Sequence, residues 1–308
     1  MTLSSLDFTD LYVSRKGCWM KSTHVDGAVP VPGNLSDTML EVFGQCQQME
    51  TEVGSTDFAL VIDGLRYRAA RMEAMFEVFY VLLRFPVEVP NIETLGYGRP
   101  VLRRLLRDDL TGLVVIAGAT GSGKTTTASA LLLERLNRFG GVGVAIEDPP
   151  EMPLEGSGDD WACFQVPVHD GDFAVPCRSM LRWSPSIIFL GEIRDGKTAI
   201  EAIRAGINGH LVICTLHADS VIASIERFYA LASTETCPED AASQLSSSAA
   251  AFVHQRIERE PRVALMTKTL FCRGDEGMAP RNNIRQRRFS MLEADIQRQE
   301  RTMLNERH

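Results

Sequence analysis

The 308-residue sequence has no pair of cysteines spaced C-x-x-C and no excess of basic charge. No apolar run approaches the roughly 18 residues that a membrane-spanning helix needs. Each absence removes a class of function. The seven cysteines (Cys18, Cys46, Cys163, Cys177, Cys214, Cys237, Cys272) are scattered and odd in number, which excludes a paired disulfide framework and a cysteine zinc knuckle. They read as small apolar fillers in a reducing compartment, the cytoplasm. The formal charge of −8 speaks against a general nucleic-acid coat, so no direct nucleic-acid binding is expected. The start, MTLSSLDFTDLY, carries acids and no basic n-region, so neither a secretory leader nor a membrane span is expected. Internal repeats and low-complexity tracts are missing too.

What is present divides the chain in two. Residues 1–90 read as a small α+β domain. Asp26-Gly27 and Asp63-Gly64 each sit between short alternating runs, which predicts two hairpin turns. Between them LSDTMLEVFGQCQQME predicts a helix capped by Ser36, with Met39, Leu40 and Phe43 on its apolar face. The Pro- and Gly-rich stretch 85–100 reads as an ordered linker. Residues 91–308 form the second domain. There GLVVIAG, GVAI, SIIFL and HLVICTL are β-rich runs, separated by helical stretches such as TTTASALLLERLNRF and TAIEAIRAGI. Strands alternating with helices predict an α/β fold with a mostly parallel sheet covered on both faces. The segment 259–308 is expected to be helical and polar.

The chemistry begins at GATGSGKT, Gly118 to Thr125, which follows a strand and opens a helix. The motif is a phosphate loop. Its glycines (Gly118, Gly121, Gly123) let backbone N–H groups face inward at a helix N-terminus, with Thr120 and Ser122 between them. Lys124 reaches the outer phosphates, and the Thr125 hydroxyl is the expected magnesium ligand. Thr126 belongs to the same nucleotide-contacting turn. ATP and Mg²⁺ are therefore the expected substrate and metal.

Other strand ends bring further polar groups. VAIEDPPE ends in Glu147 and Asp148, IIFLGEIRD in Glu192, Arg194 and Asp195, and GHLVICTLHADS carries His210 and His217. Phosphoryl transfer to water needs an oriented nucleophile, a held metal and positive charge on the leaving oxygens. Glu192 or Glu147 can polarise the water, and Asp148 can hold metal-bound water. His217 can stabilise the terminal phosphate, while Arg194 and His210 join the nucleotide-binding set. For His210 a purely structural hydrogen-bonded role stays open.

The succession GATGSGKT, AIEDPPE, SPSIIFLGEIRD and GHLVICTLHADS resembles the secretion-type traffic ATPases, over about residues 5–290. These are the hexameric motors of type IV pili, type II secretion and conjugative type IV secretion. The likeness is nearest to PilT-like pilus-retraction and conjugative-transfer ATPases. It implies a RecA-like P-loop ATPase core preceded by a PAS-like N-terminal domain. Lys124 and Thr125 then match the Walker A pair, Glu147 the Asp-box glutamate, Glu192 the Walker B glutamate and His217 the second His-box histidine. LRYRAARM resembles the family strand that supplies arginines to the nucleotide. Strand alternation puts Arg66 and Arg68 on one face and Tyr67 on the other, which suits an arginine finger. There are departures from the family pattern: DLYV at 10–13 lacks a histidine, Trp183-Ser184 replaces a polar-acidic pair, and Asn208 replaces a threonine. The resemblance implies a homo-hexamer at the inner face of the cytoplasmic membrane, working on an inner-membrane platform or secretion-apparatus protein. The competing readings are a RecA-like nucleic-acid motor and a nucleotide-dependent assembly module with negligible turnover.

Overall fold

The computed structural model describes the chain except residues 1, 2, 4, 5, 7, 23, 24, 169–172, 259–262, 307 and 308. The chain divides into two compact units, Met1–Glu88 with Asp148–Pro153, and Val89–Glu147 with Leu154–His308.

The first unit is built from β1 (Asp10–Val13), β2 (Cys18–Ser22), β3 (Val25–Pro30), α1 (Ser36–Val53), β4 (Asp57–Ile62), β5 (Leu65–Glu73) and β6 (Val78–Arg84). Its sheet has the order β3-β2-β1-β6-β5-β4 and is antiparallel throughout. Helix α1 buries Met39, Val42, Phe43 and Cys46 against Leu11, Leu60, Tyr67 and Leu82 of the sheet. Leu40, expected on that apolar face, is exposed. Ser36 does not cap the helix: Leu35 holds that position, and the Ser36 hydroxyl donates to the Gly33 carbonyl at 2.8 Å.

The turn Asp63-Gly64 joins β4 to β5 with both residues at positive φ (51° and 76°), the backbone that a two-residue hairpin of strand-matching twist requires. Asp26-Gly27 is not a turn. It lies inside β3, where the register against β2 shifts between Lys21 and Ser22 and Gly27 takes φ 97°. A positive-φ glycine serves a strand irregularity there instead of a hairpin end.

The second unit contains α2 (Arg99–Leu105), β7 (Gly112–Ala117), α3 (Lys124–Phe139), β8 (Gly141–Glu147), β9 (Gly156–Ser157), β10 (Trp161–Pro167) and α4 (Ala174–Met180). It continues with β11 (Ile187–Leu190), α5 (Gly196–Ile207), β12 (Leu211–Leu216), α6 (Val221–Ala232) and α7 (Pro238–Ser248). The last elements are β13 (Ala249–Glu258), β14 (Ala264–Phe271), α8 (Met278–Arg285) and α9 (Leu292–Asn305). The segment expected to be helical from residue 259 thus includes β14, whose pairing with β13 overrides the polar character of its exposed half.

The sheet order is β14-β13-β7-β12-β11-β8-β10-β9, with the six strands from β13 to β10 parallel and both edge strands antiparallel. Every residue of β7, β11 and β12 is buried, as expected for strands covered on both faces. On α3, Ala128, Leu131, Leu132 and Leu136 are buried and Phe139 is exposed. Among the described residues no helix is long and apolar enough to cross a membrane.

One charged cluster ties the C-terminus to the start of this unit. Arg104 of α2 donates to Glu276 (2.7 Å) and to Glu306 (2.8 Å), and its guanidinium lies 5.6 Å from the Phe271 ring centre. The Arg104 side chain is only 15 % exposed, so its loss leaves two carboxylates without their shared cation. We expect Arg104→Met to cost about 2 kcal/mol of stability by denaturant unfolding at pH 7. Hydrogen bonding to Arg104 holds the Glu306 carboxyl below its ordinary value. A carboxylate depressed on folding stabilises above its unfolded pKa and loses that contribution as pH falls through the folded value. The gap between parent and variant should therefore be full at pH 7 and shrink as pH falls below the ordinary carboxylate range. A gap that does not narrow on acidification would contradict the ionic account.

Candidate active site

Strand β7 ends at Ala117, and the chain turns through Gly118–Gly123 into α3. Gly121 and Gly123 have φ of 74° and 82°, a region that side-chain-bearing residues avoid. The turn leaves Ala119, Thr120 and Gly121 exposed and buries Gly118 and Ser122. Lys124, the first residue of α3, is 7 % exposed and folds back so that Nζ donates to the Ala119 carbonyl at 2.9 Å. Thr125 and Thr126 follow, half-buried, in the first helical turn. The Ser122 hydroxyl is buried and has no hydrogen-bond partner. An orphaned hydroxyl, a lysine and a glycine loop at a helix N-terminus fit a phosphate group. The Thr125 hydroxyl in the same turn suits a hard, oxygen-preferring cation such as magnesium.

The parallel register brings the next groups to the same edge of the sheet. Glu147 ends β8 and is 2 % exposed. Its Oε1 accepts from Gln165 Nε2 at 2.9 Å, while Gln165 Oε1 accepts from the backbone N–H groups of Leu154 and Glu155. Gly191 follows β11 beside Glu147, and its N–H donates to the Ile146 carbonyl at 2.9 Å. A methyl group at residue 191 would stand 3.2 Å from Glu147 Cγ and 3.4 Å from its Cα. A side chain here would press on the Glu147 stem, which would have to give by a few tenths of an ångström.

Glu192, the next residue, has both oxygens engaged. Oε2 accepts from Arg194 Nε at 2.8 Å, and Oε1 lies 3.4 Å from His217 Nε2. His217, just after β12, is held below its ordinary pKa, first by burial and next by the charge of Lys124, while Glu192 pulls it upward. Lys124, Glu192, Arg194 and His217 thus share one electrostatic neighbourhood. Asp195 has a different role. Its carboxylate caps α5 by accepting from the N–H and hydroxyl of Thr198 at 2.9 and 2.8 Å.

His210 is a correction. It precedes β12, and β12 runs parallel to β7 with Leu211 opposite Gly112 and Leu216 opposite Ala117. His210 therefore sits at the far edge of the sheet, roughly 20 Å along the strand from the phosphate loop. There its Nδ1 bonds the Pro185 carbonyl at 2.9 Å, the structural role left open above.

The remaining candidates belong to the first unit. On β5, Tyr67 is fully buried and the arginines face the other way, as strand alternation requires. Arg68 holds Asp57 with two nitrogens (Nε to Oδ1 2.9 Å) and lies 3.9 Å from Glu151. Arg66 stands over the Phe85 ring at 6.0 Å. Asp148 opens the segment Asp148–Pro153 of that unit, and the Asp148-Pro149 bond is cis.

Three site residues escaped sequence reasoning. Gln165 orients Glu147, and Gln255 with Tyr97 contacts the phosphate loop. For Gln165 the signal available was a single polar residue inside an otherwise apolar strand, WACFQVP.

The family described as Type II/IV secretion system protein matches residues 59–306. The uncharacterised protein YggR of Escherichia coli K12 is 33% identical over 220 residues, 70% of this chain and 66% of that protein. The type IV pilus ATPase PilU of Pseudomonas aeruginosa is 30% identical over 198 residues, 64% of this chain and 51% of that protein. The chain thus spans less than two thirds of both relatives. The crystal structure of the pilus retraction motor PilT with bound ADP superposes with a TM-score of 0.76 at 25% identity, covering 96% of this chain and 87% of that one.

The electrostatic neighbourhood is measurable. Among the six histidines, His217 should titrate by NMR with a midpoint below 6.5. Lys124→Ala removes a repelling charge and should raise that midpoint. Glu192→Gln removes the attracting one and should lower it further. Opposite or absent shifts would mean that the three side chains do not share a site.

Proposed function

The chain belongs to the type II/IV secretion system protein family, and from that membership we propose that it is an ATP-hydrolysing motor subunit of a pilus, secretion or conjugative-transfer apparatus. The observation that carries hydrolysis is the meeting of Glu192 with His217 at the strand end beside the phosphate loop, where the charge of Lys124 disfavours the His217 cation.

The roles follow from the chemistry. The loop N–H groups and Lys124 hold the phosphate oxygens of ATP and offset the charge that gathers on the leaving oxygen. Magnesium would supply further charge neutralisation, held by the Thr125 hydroxyl and, through water, by Asp148. Glu192, at the β11 end, takes a proton from the attacking water at its carboxylate. Arg194 and His217 hold that carboxylate in place. Burial and the charge of Lys124 disfavour the His217 cation, so the ring faces Glu192 with little charge of its own to compete for the phosphate. Glu147, fixed by Gln165, positions water on the metal side. Arg66 and Arg68 are assigned to stabilise phosphate charge, with Arg68 exchanging Asp57 for phosphate.

In this reading the protein is cytoplasmic, acts as a homo-hexamer at the inner face of the membrane and engages a platform or apparatus protein there. Its N-terminal unit is PAS-like and its second unit RecA-like. Sedimentation with Mg²⁺ and a non-hydrolysable ATP analogue should give a species near six subunits. A strict monomer at high protein concentration would rule out the ring.

Glu192→Gln keeps size and hydrogen bonding but removes the charge that polarises water. It should bind ATP with Mg²⁺ about as well as the parent and release phosphate on the order of 10²-fold more slowly. Loss of binding instead would make Glu192 a metal ligand. Normal turnover in Glu192→Gln with loss in Glu147→Gln would move the base to β8.

A further inference from the structure

Phosphate loops are usually explained by what they present to the nucleotide. Here the outer side of the loop is as strongly determined as the inner one. Strand β13 runs parallel to β7, with His254 opposite Ala117, so Gln255 comes level with the start of the loop. Gln255 is 1 % exposed, and Nε2 donates to the Ser122 carbonyl at 2.6 Å. Its Oε1 accepts from the Tyr97 hydroxyl at 2.5 Å, and Tyr97 is itself buried. The amide orientation is fixed by chemistry. A backbone carbonyl can only accept, so the NH₂ must face Ser122 and the oxygen must face Tyr97.

Two motif glycines abut the same residue. A methyl at Gly118 would stand 2.4 Å from the Gln255 carbonyl oxygen, and one at Gly123 would stand 3.3 Å from Gln255 Nε2. The glycines of this loop are thus needed for contact with β13 as well as for their backbone angles.

We infer that Gln255, backed by Tyr97, is a positioning residue that sets the phosphate loop in its nucleotide-receiving form. The peptide group explains how. In the planar trans unit joining Ser122 to Gly123, the carbonyl and the N–H point in opposite directions. Holding the Ser122 carbonyl toward β13 aims the Gly123 N–H at the other side, into the loop. Without Gln255, the carbonyl loses its anchor and this peptide is free to turn its oxygen toward the anion. Tyr97 acts one step behind: its hydroxyl occupies the amide oxygen and so keeps Nε2 on Ser122. A buried network with every member paired rigidifies what it touches, and one missing partner leaves a costly orphan.

The inference rests on the nucleotide reading above, and the experiment separates the two. A non-hydrolysable ATP analogue with Mg²⁺ is titrated calorimetrically into the parent, Gln255→Leu, Gln255→Glu, Tyr97→Phe and the Tyr97→Phe/Gln255→Leu double variant. Thermal midpoints are recorded alongside, and steady-state KM and kcat are measured for ATP. Gln255→Leu should weaken binding about tenfold and raise KM in step, with kcat changed less than twofold. Gln255→Glu can still accept from Tyr97 but cannot donate to Ser122, so it should bind no better than Gln255→Leu. Tyr97→Phe, which removes a single oxygen, should weaken binding roughly two- to fivefold. It should add nothing in the Gln255→Leu background, because the two act in series. Parent-like binding in a folded Gln255→Leu or Tyr97→Phe protein overturns the inference, as do fully additive effects in the double variant. A lowered thermal midpoint with an unchanged binding constant also overturns it, leaving Gln255 a core residue only. If the parent itself fails to bind the analogue, it is the nucleotide reading that falls. Should Gln255→Leu not fold, Tyr97→Phe alone decides.

Discussion

The parallel pairing of four strands is the constraint on which the site depends. With β7, β12, β11 and β8 all running the same way, their C-terminal ends come out at one edge of the sheet. The phosphate loop, His217, Glu192 and Glu147 each follow directly on, or end, one of those strands. Reversing any one strand would carry its polar end to the other side. The edge itself is closely packed, since a methyl group at residue 191 would stand 3.2 Å from Glu147 Cγ and press on that side chain. A side chain at residue 191 would therefore ask the Glu147 stem to shift by a few tenths of an ångström. The Gly-Glu sequence at this strand end thus delivers its carboxylate one residue later, with Gly191 packed against the stem of the neighbouring Glu147.

Around this edge the polar groups are held by glutamines more than by ions. Gln165 bonds Glu147 and two backbone N–H groups, and Gln255 bonds a loop carbonyl and a tyrosine. A neutral amide has both a donor and an acceptor, so it can join two unlike partners without adding charge. In a site proposed to receive an anionic nucleotide, neutral supports leave the electrostatics to Lys124, Arg194 and the loop dipoles. The charges remain in balance: Glu192 is offset by Arg194, and burial and Lys124 disfavour the His217 cation.

Much of this was legible in the sequence because it is local. The loop Gly118–Thr125, the buried strands and the strand-end carboxylates are each visible in a window of a few residues. So is the Asp63-Gly64 hairpin. The errors came where local patterns have two outcomes. Asp26-Gly27 satisfies a hairpin turn and an irregular strand equally well, and the register of β2 against β3 decides between them. His210 and His217 bracket one strand, yet a parallel strand has only one end at the site, so they cannot both belong there. Gln165, Gln255 and Tyr97 were illegible for another reason. Their partners lie 18, 133 and 158 residues away in sequence, and such pairings appear only once the sheet order is known. The pairing of Arg68 with Asp57 follows the same rule on a smaller scale, since adjacent strands and not adjacent residues bring them together.

The central claim is that ATP binds with its phosphates in the Gly118–Thr125 loop and its terminal phosphate facing Glu192. A crystal structure of the full chain with Mg²⁺ and a non-hydrolysable ATP analogue tests it most directly. The account predicts β- and γ-phosphates under Lys124, magnesium on the Thr125 hydroxyl, and a water between the γ-phosphate and the Glu192 carboxylate. Phosphates bound away from the loop, or a γ-phosphate turned from Glu192 with its water on Glu147, would contradict it.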